Sequence, residues 1–383
     1  MKRKTKENRA ITLIALVITI IVLLILAGVT ISALSGDNGI LTNSSKAKVE
    51  TDKAKINEYK QIAMLNAKMN KENQIYTDDN GDTATIPAGF AITEIEGEKL
   101  IDDGLVIIDS DGNEFVWVPV NNINEMAKLT SGTDSNNNLN YEGKFYNFTS
   151  RGFNEKINYG QSTTNFREPD TINYDRNLNF LNIIGNILKD EVNYISLDTF
   201  RETMQKDYNM MIKSIEKYHG FYIARYEMSK STNGTAQSKA NEIALTAEEN
   251  SANTWYGLYA YGKTYNNSED SVVSSMIWGS QYDAMTRWLQ NNGIDVTDRT
   301  LPNGGTINMD QNLTGQEGDT DIVKNIYDIY GGRYEWTLEG MDVLYRCTRG
   351  GVYYGSNAPS ERYYYDSILT NDYYSSRFTL YLK

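Results

Sequence analysis

The chain contains one cysteine, Cys347, and one histidine, His219, so few side chains are available for thiol, metal or imidazole chemistry. One cysteine excludes an internal disulfide framework, and one histidine excludes a His-rich metal site. Cys347 lies in a pattern typical of a strand, and a single free cysteine is among the most often buried residue types. His219 has no acid or nucleophile near it in the sequence, so we expect a surface or packing role.

Other catalytic patterns are also missing from the sequence. There is no Gly-x-Ser-x-Gly elbow and no glycine-rich phosphate-binding loop. Pairs of carboxylates for acid–base catalysis stay open, because any two of the 50 acidic residues could meet in space. The Asp-rich turn 109–113 lacks the distal glutamate of a calcium loop, so we interpret it as a turn. The sequence predicts no catalytic residue, no metal and no cofactor.

The C-terminal stretch from Tyr353 to Ser376 consists largely of Tyr, Ser, Asn and Asp. Tyrosine offers a large, rigid contact face with a polar tip, and Ser and Asn adapt their hydrogen bonds to a partner. The 28 tyrosines of the chain are equally consistent with a general compositional bias. We predict a surface that binds a protein or glycan ligand through Tyr353, Tyr354, Ser356, Asn357, Tyr363, Tyr364, Tyr365, Asp366, Asn371, Asp372, Tyr373 and Tyr374.

Charge narrows the choice of partner. The net charge of the 383-residue chain is −13, with 50 acidic against 37 basic residues. A nucleic-acid-binding surface needs clustered basic residues, so this balance argues against a nucleic-acid partner.

Several short elements are expected to hold the tyrosine-rich stretch. The turn 109–113, with Asp-Gly between two apolar runs, predicts a hairpin of strands near 105–108 and 114–120. Alternating side chains predict further strands over 220–229 and at the C-terminus, where Phe378, Leu380 and Leu382 alternate. Helical spacing predicts an amphipathic helix over 276–289.

The N-terminus combines a basic cluster with a long uncharged run, from Ala10 to Leu34. As a helix, these residues at ~1.5 Å each would span roughly 37 Å, enough to cross a bilayer. The basic side would stay cytoplasmic, which predicts a single-pass cell-membrane protein with an extracellular C-terminal domain. The membrane is then a partner of residues 10–34. A cleaved signal peptide is the alternative.

These signals divide the chain into four parts: a basic leader (1–10), a transmembrane helix (11–35), a spacer helix with a linker (36–82), and a globular domain (83–383). The spacer helix either packs on a neighbour or is solvated. Within the domain, an Asn-rich, weakly patterned segment at about 121–214 is interpreted as a surface insertion.

Two motifs in the last third carry a family resemblance. The run 325–337 reads Asn-x-x-Asp-x-x-Gly-Gly-x-x-Glu-Trp-Thr, and Arg349-Gly350-Gly351-Val352 follows it. They resemble motifs of the formylglycine-generating-enzyme (sulfatase-modifying-factor) family, with Gly332 in place of the usual Asn. The C-terminal run 377–382 resembles a third motif of that family, Gly-Phe-Arg-x-x-Leu, with Arg377 and Thr379 in place of the usual Gly and Arg. The resemblance implies the C-type-lectin-like fold. The expected fold class is therefore α+β: a transmembrane stalk helix followed by a C-type-lectin-like mixed domain of short strands and few helices.

The resemblance also bears on catalysis. Members of that family that make formylglycine use two cysteines shortly after the Arg-Gly-Gly turn to bind copper, and thiolates are the ligands that suit Cu(I). The equivalent run 352–359 contains no cysteine. We therefore expect a domain that binds without catalysing the oxidation; a protein-modifying oxidase is the alternative.

Two further resemblances concern the ends of the chain. The N-terminus resembles a type IV prepilin leader, with cleavage expected between Ala10 and Ile11, although Ala15 replaces the usual Glu of the mature pilin. A pilus or pseudopilus subunit, with similar subunits as partners on a cell-surface filament, is thus an alternative function. The tyrosine-rich C-terminus is similar to the variable region of diversity-generating-retroelement targets, in which mutagenised adenine codons yield Asn, Tyr, Ser and Asp.

Overall fold

The computed structural model describes residues 16–28, 39–123, 128–133, 139–142, 179–190, 192–246, 254–301, 313–316, 320–340, 345–352 and 358–383. The chain divides into two compact units, Met1–Tyr59 and Lys60–Lys383. The leader junction Ala10–Ile11 and the tyrosine-rich residues 353–357 lie outside the described residues.

The first unit contains helix α1 over residues 16–28 and the beginning of helix α2 (Ile40–Met69). The predicted transmembrane helix over 11–35 is wrong. No helix in the described part of the chain is long and apolar enough to cross a membrane. The predictions of a single-pass membrane protein and of an extracellular domain are corrected with it.

Helix α2 continues into the second unit and ends where Asn70 caps it. The Asn70 backbone N–H bonds the carbonyl oxygens of Asn66 and Ala67. Its side-chain amide donates to the carbonyl oxygens of Pro87 and Phe90, at 3.0 and 2.9 Å. Asn70 therefore ends the helix and attaches its last turn to the first strands of the second unit.

The second unit contains four further helices and eighteen strands among its described residues. The helices are α3 (Asn179–Leu188), α4 (Leu197–Tyr218), α5 (Trp255–Gly262) and α6 (Gly279–Asn291). The first nine strands are β1 (Gln74–Thr77), β2 (Thr83–Ile86), β3 (Phe90–Ile92), β4 (Val106–Asp109), β5 (Glu114–Pro119), β6 (Lys128–Thr133), β7 (Leu139–Glu142), β8 (Gly220–Ala224) and β9 (Ser229–Lys230). The remainder are β10 (Ala236–Gln237), β11 (Val272–Met276), β12 (Ile322–Val323), β13 (Ile326–Tyr327), β14 (Tyr334–Gly340), β15 (Tyr345–Arg349), β16 (Arg362–Asp366), β17 (Tyr374–Ser376) and β18 (Phe378–Leu382).

Six antiparallel strands form the larger sheet, in the order β11-β18-β8-β5-β4-β3. The predicted hairpin is confirmed as β4 and β5, in which Val106 faces Val116. The C-terminal strand β18 is inserted between β11 and β8, so the end of the chain lies inside the sheet. Phe115, Tyr265 and Phe378 pack with ring centroids 5.3–5.5 Å apart at the centre of the core.

Helices α3 and α4 show that part of the predicted surface insertion belongs to the core. Helix α4 begins at a capping box between Ser196 and Thr199 and ends at His219, which is exposed and adopts a left-handed conformation. The apolar sides of the two helices are buried against the rest of the unit, through Phe180, Leu181, Ile184, Phe200, Met204, Tyr208, Met211, Ile212 and Ile215. The helical spacing of these apolar residues, rather than the asparagine content around them, decides their position.

The smaller sheet has four strands in the order β16-β15-β14-β17, with β14 and β17 parallel and the other pairs antiparallel. The two glycine pairs of the sequence motifs meet at this sheet. Gly332 and Gly350 adopt left-handed conformations with φ of +63° and +79°. The Gly351 N–H donates to the carbonyl oxygen of Ile329 at 3.1 Å. A Cβ atom at Gly351 would lie only 1.6 Å from the carbonyl oxygen of Tyr330.

This close approach predicts that Gly351→Ala is strongly destabilising. Since the obstacle is backbone rather than a movable side chain, we expect the free energy of unfolding to fall by about 3 kcal/mol or more. Gly81→Ala is the matched control, because Gly81 has a φ of +90° but no atom within 4 Å of the added carbon. That variant should lose about 1 kcal/mol from backbone strain alone. Chemical denaturation of the full chain measures both, and equal losses would contradict the steric explanation.

Candidate ligand-binding site

Five aromatic side chains of the smaller sheet lie on one face of it. Side chains alternate along a strand, so Tyr334 and Trp336 of β14 project to the same side, as do Tyr363 and Tyr365 of β16. Tyr334 is paired with Tyr374 of the parallel strand β17. We call the set Tyr334, Trp336, Tyr363, Tyr365 and Tyr374 the tyrosine face.

The rings of the tyrosine face contact one another. Tyr334 and Tyr374 stack with centroids 5.8 Å apart and an interplanar angle of 21°. Tyr374 also packs against Trp336 at 5.3 Å and Tyr365 at 4.9 Å, and Tyr334 packs against Tyr363 at 5.5 Å. Such contacts contribute about 0.5–1.5 kcal/mol per pair beyond area burial. The rings therefore support one another in fixed positions.

The tyrosine face has a buried layer and an outer layer. Trp336 is fully buried, and Tyr334 and Tyr374 are each 5% exposed. Tyr363 and Tyr365 are only half-buried, and Tyr373, next to Tyr374 in the sequence, is half-buried as well. Tyr363, Tyr365 and the adjoining Tyr373 are therefore the described aromatic groups of this region that a ligand can reach.

A buried carboxylate fixes one of the outer tyrosines. The Tyr363 hydroxyl donates to Oε2 of Glu361 at 2.8 Å, and Oε1 of Glu361 accepts from Nη2 of Arg299 at 2.6 Å. Glu361 is 2% exposed, and its charge is compensated by Arg299, whose side chain is 41% exposed. This arrangement holds the hydroxyl of Tyr363 in one orientation before any ligand arrives.

Residues adjoining the face supply polar groups. Asn371 accepts a hydrogen bond from the Tyr373 N–H at 2.9 Å through its side-chain oxygen, which fixes the turn before β17. Asp372 is exposed. Asp366 is half-buried, and strand alternation places it on the opposite side of β16 from Tyr365, where its carboxylate caps the following turn through the Ile368 N–H.

The structure thus brings together part of the predicted site. Tyr363, Tyr365 and Tyr374 share one face, and Asn371, Asp372 and Tyr373 adjoin it, but Tyr374 belongs to the buried layer and Asp366 does not share the face. Tyr353, Tyr354, Ser356 and Asn357 lie outside the described residues, and only the backbone of Tyr364 is described. Sequence reasoning missed Tyr334 and Trp336, which their alternation within the Tyr-Glu-Trp motif could have indicated.

Two buried charged residues lie where the smaller sheet meets the core: Glu335 in β14, and Arg377, which directly follows β17. Arg377 donates from Nε and Nη2 to Oε1 of Glu335, at 2.9 and 2.6 Å. Its guanidinium also donates to the carbonyl oxygens of Ala224 and Tyr327, at 2.9 and 2.7 Å. Burial lowers the pKa of Arg377, but the Glu335 carboxylate outweighs this and raises the pKa overall.

Two more buried carboxylates find partners. Glu227 accepts from the backbone N–H of Arg333 at 2.7 Å. Glu114 binds Arg225 at 2.7 Å and Lys60 at 2.5 Å. Burial alone would raise the pKa of Glu114, yet these two cations lower it below its ordinary value. Such complete pairing is typical of structural charges, so these residues position the strands rather than supply reactive groups.

Cys347, the only thiol, is fully buried in β15, and its Sγ contacts the carbonyl oxygen of Thr348 at 3.5 Å. Among the described residues, no group of three or more His, Cys, Asp and Glu side chains could hold a metal ion. In this part of the chain the candidate site is therefore the tyrosine face, whose chemistry is that of contact and hydrogen bonding.

Comparison with known proteins gives no match. No family model fits the chain, and no curated protein or solved structure matches it. The resemblance to the formylglycine-generating-enzyme family stays a prediction from the motifs. Function must therefore be argued from the geometry of the site.

The Arg377 contacts yield a prediction about stability. Arg377→Leu leaves the buried Glu335 carboxylate without its cation and removes hydrogen bonds from two carbonyl groups. Breaking one side of such a pair lowers the free energy of unfolding by about 3–5 kcal/mol. Urea denaturation of the full chain measures the loss.

Two controls separate the charge effect from simple loss of a side chain. Lys71→Leu breaks the pair of Lys71 with Glu269, but the Lys71 side chain is 62% exposed, so we expect a far smaller change. The double variant with Glu335→Leu and Arg377→Leu should recover part of the lost free energy of unfolding, since it leaves neither buried charge without a partner. A single variant no worse than Lys71→Leu would contradict the structural role of Arg377.

Proposed function

We propose that the protein binds a ligand through the tyrosine face, on a domain related to formylglycine-generating enzymes in which binding replaces oxidation. The observation that carries the proposal is the two-layer arrangement of the face. Tyr334, Trp336 and Tyr374 form a buried support, and Tyr363 and Tyr365 remain half-exposed above it.

The physical advantage of this arrangement is preorganisation. Ordering a flexible side chain at an interface costs roughly 0.5–1.5 kcal/mol, and a tyrosine that is already fixed avoids most of that cost. Tyr363 is fixed at both ends, by the Tyr334 ring and by Glu361. Rigid tyrosines supported in this way are the typical anchors of recognition surfaces.

The sulfur content of the chain supports binding over oxidation. The resembled oxidase mechanism requires two thiolates at one copper ion, and the chain has a single cysteine. That cysteine is buried in β15 and contacts a backbone carbonyl. The proposal therefore assigns recognition of a protein or glycan, without chemical conversion, to this domain.

A ligand screen on the full chain tests the proposal. The chain is probed against arrays of glycans and of purified proteins, and the affinity of each hit is measured for the wild type and for variants. Tyr365→Ala should weaken binding by about 30-fold, since contact residues of this kind contribute on the order of 2 kcal/mol. Tyr365→Phe, which retains the ring, reports the contribution of the hydroxyl alone.

The matched control is Tyr218→Ala, which removes a half-buried tyrosine from the end of α4. It should leave the affinity of every hit unchanged. Thermal unfolding of each variant shows whether the fold is retained. Hits that bind the Tyr363→Ala, Tyr365→Ala double variant as tightly as the wild type, with the fold intact, would refute the proposal.

The proposal extends to diversification of the site, supported by the Tyr, Asn, Ser and Asp content of residues 353–376. If the coding DNA is a retroelement target, a near-duplicate of the segment encoding these residues should lie close by in the genome. The two copies should differ mainly at adenine positions of the template. Sequencing the flanking DNA tests this, and the absence of such a repeat would remove the idea without affecting binding.

A further inference from the structure

We infer that the ligand of the tyrosine face is a positively charged protein segment, one that presents Arg or Lys side chains; this inference rests on the proposed function. Three observations support it: the charge of the second unit, the chemistry of the exposed rings, and the position of Asp372. Each bears on the ligand class separately.

Charge is divided unequally along the chain. Residues 60–383 contain 28 of the 37 basic residues and 45 of the 50 acidic residues, so their net charge is −17, whereas residues 1–59 carry +4. A field of this sign raises the local concentration of cationic partners and speeds their association. The same field repels nucleic acids and acidic proteins, so it narrows the set of partners that can approach.

The exposed rings themselves attract cations. The face of a tyrosine ring carries negative quadrupolar charge and binds Arg or Lys groups within about 6 Å. Inside the protein this contact recurs: Arg349 lies 4.5 Å from the ring centroid of Tyr282, and Arg346 lies 4.8 Å from that of Trp255. No cation of the described residues lies over the half-buried Tyr365 ring, so a ligand cation can occupy this position.

Asp372 adds a formal negative charge beside the rings. It is exposed, and it forms no ion pair with any described residue. The nearby described cations are already engaged. Arg299 binds Glu361, and Arg333 binds Glu227 and the carbonyl oxygen of Asp372. Arg346, which is paired with Tyr365 across β15 and β16, lies over the ring of Trp255. Asp372 lies two residues before Tyr374, whose ring centroid is 4.9 Å from that of Tyr365, so a cation that approaches the tyrosine face also approaches the Asp372 carboxylate.

The test uses the full chain and a defined probe, a 12-residue peptide with alternating Arg and Ser. Its affinity is measured by fluorescence anisotropy at 50 mM and 200 mM NaCl, and compared with that of a peptide in which Gln replaces every Arg. We expect the Arg peptide to bind at least 10-fold more tightly at 50 mM NaCl, and the difference to shrink at 200 mM because salt screens the attraction.

Substitutions then distinguish binding of the Arg peptide at the tyrosine face from its general attraction to the negatively charged chain. Tyr365→Leu, which removes the ring quadrupole but retains apolar bulk, should weaken Arg-peptide binding about 10-fold. Tyr365→Phe, which retains the ring, should stay within about 3-fold of the wild type. Asp372→Asn should weaken binding about 3- to 5-fold. Asp79→Asn, the same charge change in the exposed β1–β2 turn, should have no comparable effect.

The outcomes distinguish this inference from the proposed function. If the Arg peptide binds Tyr365→Leu and Asp372→Asn as tightly as the wild type, its attraction is non-specific and the inference fails. It also fails if the ligands that depend on Tyr365 in the array screen are neutral glycans whose binding is insensitive to salt; in that case the proposed function stands. If no ligand depends on Tyr363 or Tyr365, both fail.

Discussion

The Arg377 guanidinium is the interaction on which the arrangement of the second unit depends. Arg377 lies between β17 of the smaller sheet and β18 of the larger one, where the chain passes from one sheet to the other. Its donors reach Glu335 in the smaller sheet, the Ala224 carbonyl in the larger sheet and the Tyr327 carbonyl between them. One side chain thus connects three segments that are distant in sequence, and fixes the orientation of the smaller sheet against the core.

A buried charge of this kind stabilises only when it is fully surrounded by partners. Replacing such a pair by apolar groups is often neutral, whereas removing one member is strongly unfavourable. The neighbouring Arg225 and Glu227 are also paired: Arg225 binds Glu98 and Glu114, and Glu227 accepts from the backbone N–H of Arg333. Alternative packings of the two sheets would leave several of these buried charges without partners at once. The network therefore favours one relative position of the sheets, and hence one geometry of the tyrosine face.

The local elements could be predicted from the sequence, but their partners could not. The Asp-Gly turn predicted the hairpin of β4 and β5, and the alternation of Phe378, Leu380 and Leu382 predicted β18. Nothing local indicates that β18 enters the larger sheet between β11 and β8, since those strands come from 100 to 160 residues earlier in the chain.

The same contrast holds for the candidate site: some of its residues could be predicted from the sequence, but their partners could not. Composition identified Tyr363 and Tyr365, but the pairing of Glu361 with Arg299 joins residues 62 positions apart. At the N-terminus, hydrophobicity predicted a membrane-spanning helix, and this prediction was wrong, since no helix among the described residues is long and apolar enough to cross a membrane.

The division of the tyrosine face into two layers has a consequence for how its specificity can change. Tyr334, Trp336 and Tyr374 contact several rings each and are buried, so substitutions there disturb the sheet. Tyr363 and Tyr365 lie on β16, an edge strand that pairs only with β15 among the described strands. An edge position loses fewer contacts when its outward side chains are replaced. The protein can therefore alter the groups that meet a ligand while the support beneath them, and the Arg377 network that positions it, stays the same.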